Sequence, residues 1–276
     1  DAVNAIRTCM EDKIFGESGI TVVIEEFLQG QEVSVFGFTD GRTISPLVAA
    51  CDYKKIGNGD VGLNTGGMGC FGPPDFWTEE LHRIVLDMVF EPVVNQLKKE
   101  GSTYKGILYA GLMITSTGIK TLEFNCRFGD PEAQIIVSLV RSDLLEVMKA
   151  CVEGTLEQVD LRWDTTPHVA VVLASGGYPV NYQTGYPVSG LYADTPNSYV
   201  FHAGTKWFSV DSSDSVVTDG GRVLTVLGWG SDWDEARKNA YNRVTKIRFE
   251  NAYYRSDIGA QKLDVEGGMW APTTTI

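Results

Sequence analysis

At 276 residues with 43% hydrophobic side chains, the chain is long enough for one large or two ordinary globular domains. Its formal net charge of −13, with no run of lysine or arginine, argues against a nucleic-acid or anionic-membrane surface as main partner, so an acidic substrate has to meet local cations. Five scattered cysteines without a CxxC pair fit reduced cytoplasmic thiols rather than a disulfide framework or zinc site, no apolar run reaches membrane-spanning length, and residues 1–20 lack a signal peptide's apolar core.

Val3, Ile6, Met10 and Ile14 recur at helical spacing, a Gly16–Gly19 loop follows, and Thr21–Leu28 is predicted as a strand. A second strand over Glu32–Thr39 turns through Asp40-Gly41 into a third near Thr43–Ala50, and a glycine-heavy loop fills Gly57–Gly72. Thr78 caps a long amphipathic helix with Leu81, Ile84, Val85, Met88, Val93 and Leu97 on its core face and a kink at Pro92. Strands over Gly106–Ile114 and Gly118–Phe124 precede a helical region at 131–153, where Ser142-Asp143 offers a cap. Past Gly154 the texture is β-rich, with strands at His168–Ala174 and Arg222–Gly228, then a helix over Ser231–Ile247 and an irregular tail.

The chemistry concentrates in Glu123–Glu132, EFNCRFGDPE. Alternation along the preceding strand puts Glu123, Asn125 and Arg127 on one face, with Leu122 and Phe124 toward the core, and Gly129-Asp130-Pro131 ends the strand. Cys126 alternates toward the core as a buried thiol. A carboxylate and a carboxamide on one face suit Mg²⁺; the same residues also suit a solvated strand edge. Upstream, Glu25-Glu26-Phe27-Leu28 with Glu32 forms a strand end able to receive a flat polar ligand. Between the two lies Asn64–Gly69, NTGGMG, whose small residues let several backbone N–H groups face one anion.

In order and spacing, VIEEFLQGQE, DYKK at Asp52–Lys55, NTGGMG, LYAGLMI, EFNCRFGDPE, ASGGYP, FHAGT, GGRVL and YRSDIG resemble the motifs of the phosphoribosylamine–glycine ligase family of ATP-grasp enzymes. The resemblance implies an α+β architecture: an ATP-grasp mixed sheet flanked by helices, then a small β-rich C-terminal domain. It implies a lid remnant at 1–24, a central domain at 25–155, a C-terminal domain at 156–260 and a tail at 261–276. The family's N-terminal domain and most of its ATP lid then fall outside the chain, which is expected to be inactive alone.

Carried over residue by residue, the resemblance implies that Glu25 and the Leu28 backbone receive adenine and Glu32 the ribose hydroxyls of ATP. Glu123 and Asn125 hold Mg²⁺ (or Mn²⁺). No carboxylate stands in Ile107–Ile114, so these two supply the protein's share of the metal shell. Lys54 and the loop of Thr65, Gly66, Gly67 and Met68 meet the phosphoribosyl substrate, Asp130 and Glu132 its amine or the glycine, and Arg127 the acyl phosphate. Lys54 also reads as a surface cation and Arg127 as a structural partner of Asp130. Tyr53 stands where the family usually has histidine, which speaks against an acid–base role there. The implied substrates are glycine and 5-phosphoribosylamine, with fusion to other purine-biosynthesis enzymes a recurrent family arrangement and neither nucleic acid nor membrane as partner.

Overall fold

The computed structural model describes residues 2–210 and 213–260, so the predicted tail lies outside the described residues. Helix α1 (Ala2–Met10) buries no residue, and a 3₁₀ turn at Gly16–Gly19 follows it. Residues 21–29, predicted to include a strand, run without a ladder and leave Val23, Ile24 and Phe27 exposed. An apolar, β-branched run becomes a strand only where a neighbour takes up its backbone groups.

Strands β1 (Gln31–Thr39) and β2 (Val48–Asp52) form as predicted, with the second starting late, after Pro46. The predicted glycine loop instead contains a small hairpin, β3 (Lys55–Gly57) with β4 (Val61–Asn64), and then β5 (Gly69–Gly72). Thr78 caps α2 (Glu79–Val85) through Leu81 N at 3.2 Å. A π-helical stretch, Leu86–Phe90, leads into α3 (Glu91–Lys99), whose first turn tolerates Pro92. The wider turns shift the buried phase: Val89, Phe90 and Val94 go inward, and Met88, predicted for the core face, is exposed.

Strands β6 (Gly106–Thr115) and β7 (Gly118–Asn125) are followed by α4 (Glu132–Leu139) and α5 (Leu144–Glu153), the latter capped by Asp143. Then come β8 (His168–Ala174), β9 (Ser198–His202), β10 (Thr205–Val210), β11 (Ser213–Thr218), β12 (Arg222–Trp229) and α6 (Trp233–Val244). Eight strands make one sheet in the order β7-β6-β1-β2-β5-β8-β12-β9, with antiparallel ladders throughout.

The two faces are covered differently. On one, Ile135, Ile136 and Leu139 of α4 pack over Phe36, Val48, Ala50 and Cys70. On the other, Val33, Val35, Ala49 and Leu108 meet Leu81, Val85, Phe90 and Val94, while α6 covers the β8–β12 end. Both faces of β1 are therefore buried, which is why it reads as a nearly continuous apolar run. Among the described residues no helix is long and apolar enough to cross a membrane.

Candidate functional site

The register assembles a polar row on the α4 face. Glu123 lies opposite Gly111, Gly111 opposite Ser34, and Ser34 opposite Ala50, so four strands contribute to one line. Residues two apart share a face, which adds Glu32, Tyr109, Asn125 and Asp52 to the same side. The Asn125 carboxamide donates to Glu123 Oε1 at 2.9 Å, so the predicted pair does stand together.

Downstream of Asn125 the alternation fails. A bulge near Leu122 shifts the β6–β7 pairing and β7 ends at Asn125. Cys126, past the end of the strand, is therefore exposed rather than buried, and Phe124, predicted inward, is 40% exposed on β7, which is an edge strand of the sheet. Arg127 lies past the strand, exposed, with Nη1 donating to the Phe128 carbonyl at 2.9 Å; the cation beside Asp130 is Arg222 instead. Glu25 is exposed and Leu28 half-buried in the irregular segment before β1, where Glu26 pairs with Lys120 of β7 at 3.7 Å.

Glu132, predicted to face a substrate, is buried at the start of α4. Its Oε1 accepts from Ser34 Oγ at 3.0 Å and Tyr109 Oη at 3.2 Å. Beside it Asp52 Oδ1 is buried with no hydrogen-bond partner among the described residues. Burial, and then the negative charge of Glu132, push the Asp52 carboxyl well above the usual carboxylate range, against the pull of Lys54 and Arg222. Lys54 forms an ion pair with Glu32. Burial draws the Lys54 ammonium down, but its bond to Glu32 and the charges of Glu32, Asp52 and Glu123 hold it above the ordinary lysine value. Tyr53, alternating to the other side of this segment, lies under the Arg255 guanidinium at 4.9 Å, and burial pushes its phenol up to about 12.

The NTGGMG loop is not the anion nest its sequence predicts, because its amides are already engaged. Thr65 N donates to Lys54 O at 2.8 Å, Gly66 N to Tyr178 Oη at 3.0 Å, Gly67 N to Thr65 Oγ1 at 3.0 Å, and Met68 N to Tyr53 O at 2.8 Å. What the loop offers is carbonyls, and Arg222 at the head of β12 takes them. Its Nη1 donates to Gly66 O at 2.6 Å and Asp130 O at 2.5 Å, and Nη2 to Asp130 Oδ2 at 3.2 Å. Gly67 sits at φ +113°, a conformation L side chains rarely adopt, and an added Cβ would stand 2.4 Å from Pro131 Cδ and 2.7 Å from Asp52 Oδ1.

Sequence patterning missed Ser34, Tyr109, Asp52 and Arg222. Ser34 was within reach, since it lies two residues from Glu32 on the same face of β1. Arg222 was not, because its partners lie far away in the chain.

His82 and His168 serve structure. His82 Nε2 accepts from Leu47 N at 2.9 Å, and His168 Nδ1 meets Thr166 O at 2.7 Å.

Residues 1–133 match the family model for phosphoribosylglycinamide synthetase, ATP-grasp (A) domain, and residues 168–261 that for phosphoribosylglycinamide synthetase, C domain. The chain is 43% identical over 260 residues to a phosphoribosylamine–glycine ligase of Caldanaerobacter subterraneus subsp. tengcongensis, covering 94% of this chain and 61% of the relative. It is 48% identical over 248 residues to one of Nostoc sp., covering 89% and 58%. A crystal structure of phosphoribosylamine–glycine ligase from Thermotoga maritima matches with TM-score 0.73 at 34% identity, over 84% of this chain and 56% of that one. The biotin carboxylase domain of a Hydrogenobacter thermophilus 2-oxoglutarate carboxylase, TM-score 0.62 at 12% identity over 91% and 53% of the two chains, shares the fold alone. The chain spans about three fifths of the length of the curated relatives it matches.

Proposed function

The chain belongs to the phosphoribosylglycinamide synthetase family, and from that premise we propose that it forms the nucleotide- and substrate-binding wall of a ligase joining glycine to 5-phosphoribosylamine. The γ-phosphoryl group of ATP passes to a glycine carboxylate oxygen, leaving ADP. The substrate amine then attacks the acyl carbon, the C–N bond forms, and phosphate departs while the amine gives up a proton. Neither step needs a protein nucleophile; positioning and charge stabilisation carry the rate.

Glu25 and the Leu28 backbone receive adenine in this reading, and Glu32 the ribose. Glu123 and Asn125 stand side by side on the sheet edge, Asn125 Nδ2 donating to Glu123 Oε1 at 2.9 Å, and their side-chain oxygens fit a divalent ion that takes its remaining ligands from phosphate and water. When bound, Mg²⁺ or Mn²⁺ neutralises phosphate charge. Lys54 and the Thr65–Met68 loop border the phosphoribosyl site, Asp130 meets the amine or the glycine, and Arg127 keeps unengaged donors for the acyl phosphate. Glu132 anchors the row from beneath. The reading divides the chain into a lid segment at 1–24, a central domain at 25–155 and a C-terminal domain at 156–260. Five free thiols suit a reducing, cytoplasmic compartment.

The observation that carries this reading is the row that brings Glu123, Asn125, Glu32 and Asp52 to one sheet face, with Lys54 joined to it by its ion pair with Glu32. Calorimetry of ADP binding with and without Mg²⁺ tests the metal pair: Glu123→Gln is expected to abolish the gain in affinity that Mg²⁺ brings, and an undiminished gain overturns the assignment. In the protein at its natural length, phosphate release from ATP is expected only with glycine and 5-phosphoribosylamine together. Release driven by another acid and amine would sink the substrate assignment.

A further inference from the structure

With the loop amides engaged internally, a phosphate arriving at Thr65–Met68 has to be met by side-chain cations. Two stand there. Lys54 is neutralised by Glu32. Arg222 is held differently: Nη1 rests on three neutral carbonyls, those of Gly66, Asp130 and, at 3.5 Å, Gly67, Nη2 on a carboxylate that is half exposed, and the arginine itself keeps 21% of its side-chain surface open. Its Nε meets no acceptor among the described residues. The guanidinium lies flat against Gly66, where a Cβ would stand 3.0 Å from Cζ and from Nη2. Such a fork, positioned by carbonyls on one side and with donors remaining on the other, matches two oxygens of a phosphate.

We propose that Arg222 reads the phosphate of the phosphoribosyl substrate, exchanging the Asp130 carboxylate for a phosphate oxygen pair while its carbonyl contacts hold it in place. The proposal rests on the reading that the substrate carries a phosphoribosyl group. Asp130 belongs to the turn that follows the metal pair, so arrival of the phosphate releases its carboxylate toward the reacting amine. The C-terminal part of the chain thereby contributes a specificity residue to a site otherwise built by the first 132 residues.

Ribose 5-phosphate, a stable compound with the same sugar and phosphate, is the probe, and ribose its control; titration calorimetry or amide chemical shifts on the purified chain give the affinities. The parent is expected to prefer ribose 5-phosphate, more strongly at low salt. Arg222→Ala should weaken ribose 5-phosphate at least tenfold and leave ribose unchanged, with Arg222→Lys falling between because the fork is lost. Asp130→Ala, which removes the competing carboxylate, should tighten ribose 5-phosphate, a change of sign that damage to the fold would not produce. Parental affinity in Arg222→Ala, or no tightening in Asp130→Ala, overturns the Arg222 assignment while the substrate reading stands. A parent that binds ribose and ribose 5-phosphate alike overturns the phosphoribosyl reading and this assignment with it.

Discussion

Arg222 and Arg255 both reach from the C-terminal third onto the segment between Asp52 and Met68, and they hold its two halves in opposite ways. Arg255 has no exposed side-chain surface. Its Nε and Nη2 engage both oxygens of Asp257 at 2.8 and 2.6 Å, and Nη1 donates to Asp60 at 2.7 Å and Lys55 O at 3.0 Å. Burial alone would lower its pKa, but the bonds to Asp257 and Asp60 hold it above the ordinary arginine value. Arg222 has neutral carbonyls, one exposed carboxylate and donors to spare. A guanidinium saturated by carboxylates under Tyr53 is a structural staple. One held mainly by carbonyls, with part of its side chain open to solvent, can change partners.

The largest expected effect follows from the saturated site. Arg255→Ala removes four charge-assisted bonds and opens a cavity under Tyr53, a loss on the order of 3 kcal/mol by urea denaturation. Arg222→Ala, at a partly exposed pair, is expected to cost about 1 kcal/mol or less. Equal losses in the two variants would break the distinction.

Gly67→Ala comes next. A residue other than glycine is strained at φ +113°, and the new methyl meets Pro131 and Asp52, so about 2 kcal/mol is expected. The clash falls where Arg222 joins the loop to the GDPE turn, so this variant should also weaken ribose 5-phosphate binding, whereas Arg255→Ala acts mainly on stability. A Gly67→Ala protein with parental stability would mean that the loop is free to move away from Pro131.

How much of this was legible in the sequence depends on the distance over which each feature is decided. The β1, β6, β7, β8 and β12 strands and the helices α5 and α6 follow from local alternation, helical spacing and capping residues and formed close to their predicted limits, while the long helix capped by Thr78 forms as α2 and α3 about a π-helical stretch. Glu123 and Asn125 share a face because two residues of strand separate them. Where a non-local partner decides, local pattern failed. Thr21–Leu28 has strand composition but forms no ladder among the described residues, and Cys126 follows a strand that has already ended. The NTGGMG amides, free in the motif, are consumed by Lys54, Tyr53 and Tyr178. Arg222 stands 92 residues from Asp130, beyond any spacing rule.

The smallest effect separates the two arginines most cleanly. In the unfolded chain the Asp52 carboxyl titrates near 3.8, and in the folded protein higher, because burial strips its water and Glu132 opposes a second negative charge. Between those values the folded state keeps a proton that the unfolded state has released. Stability from this group is therefore greatest below the unfolded value and falls as pH rises through the window to the folded one. Asp52→Asn carries no such proton, so its stability relative to the parent should improve as pH rises above about 4, as followed by urea denaturation across pH. A difference independent of pH would mean that the buried carboxyl titrates normally. Arg222, but not Arg255, is among the charges that pull the Asp52 pKa down. Arg222→Ala should widen the window and extend the parent's loss of stability to higher pH, whereas Arg255→Ala should lower stability by the same amount at every pH within it. Parallel profiles in the two variants would place Arg222 outside the electrostatics of the Asp52 carboxyl.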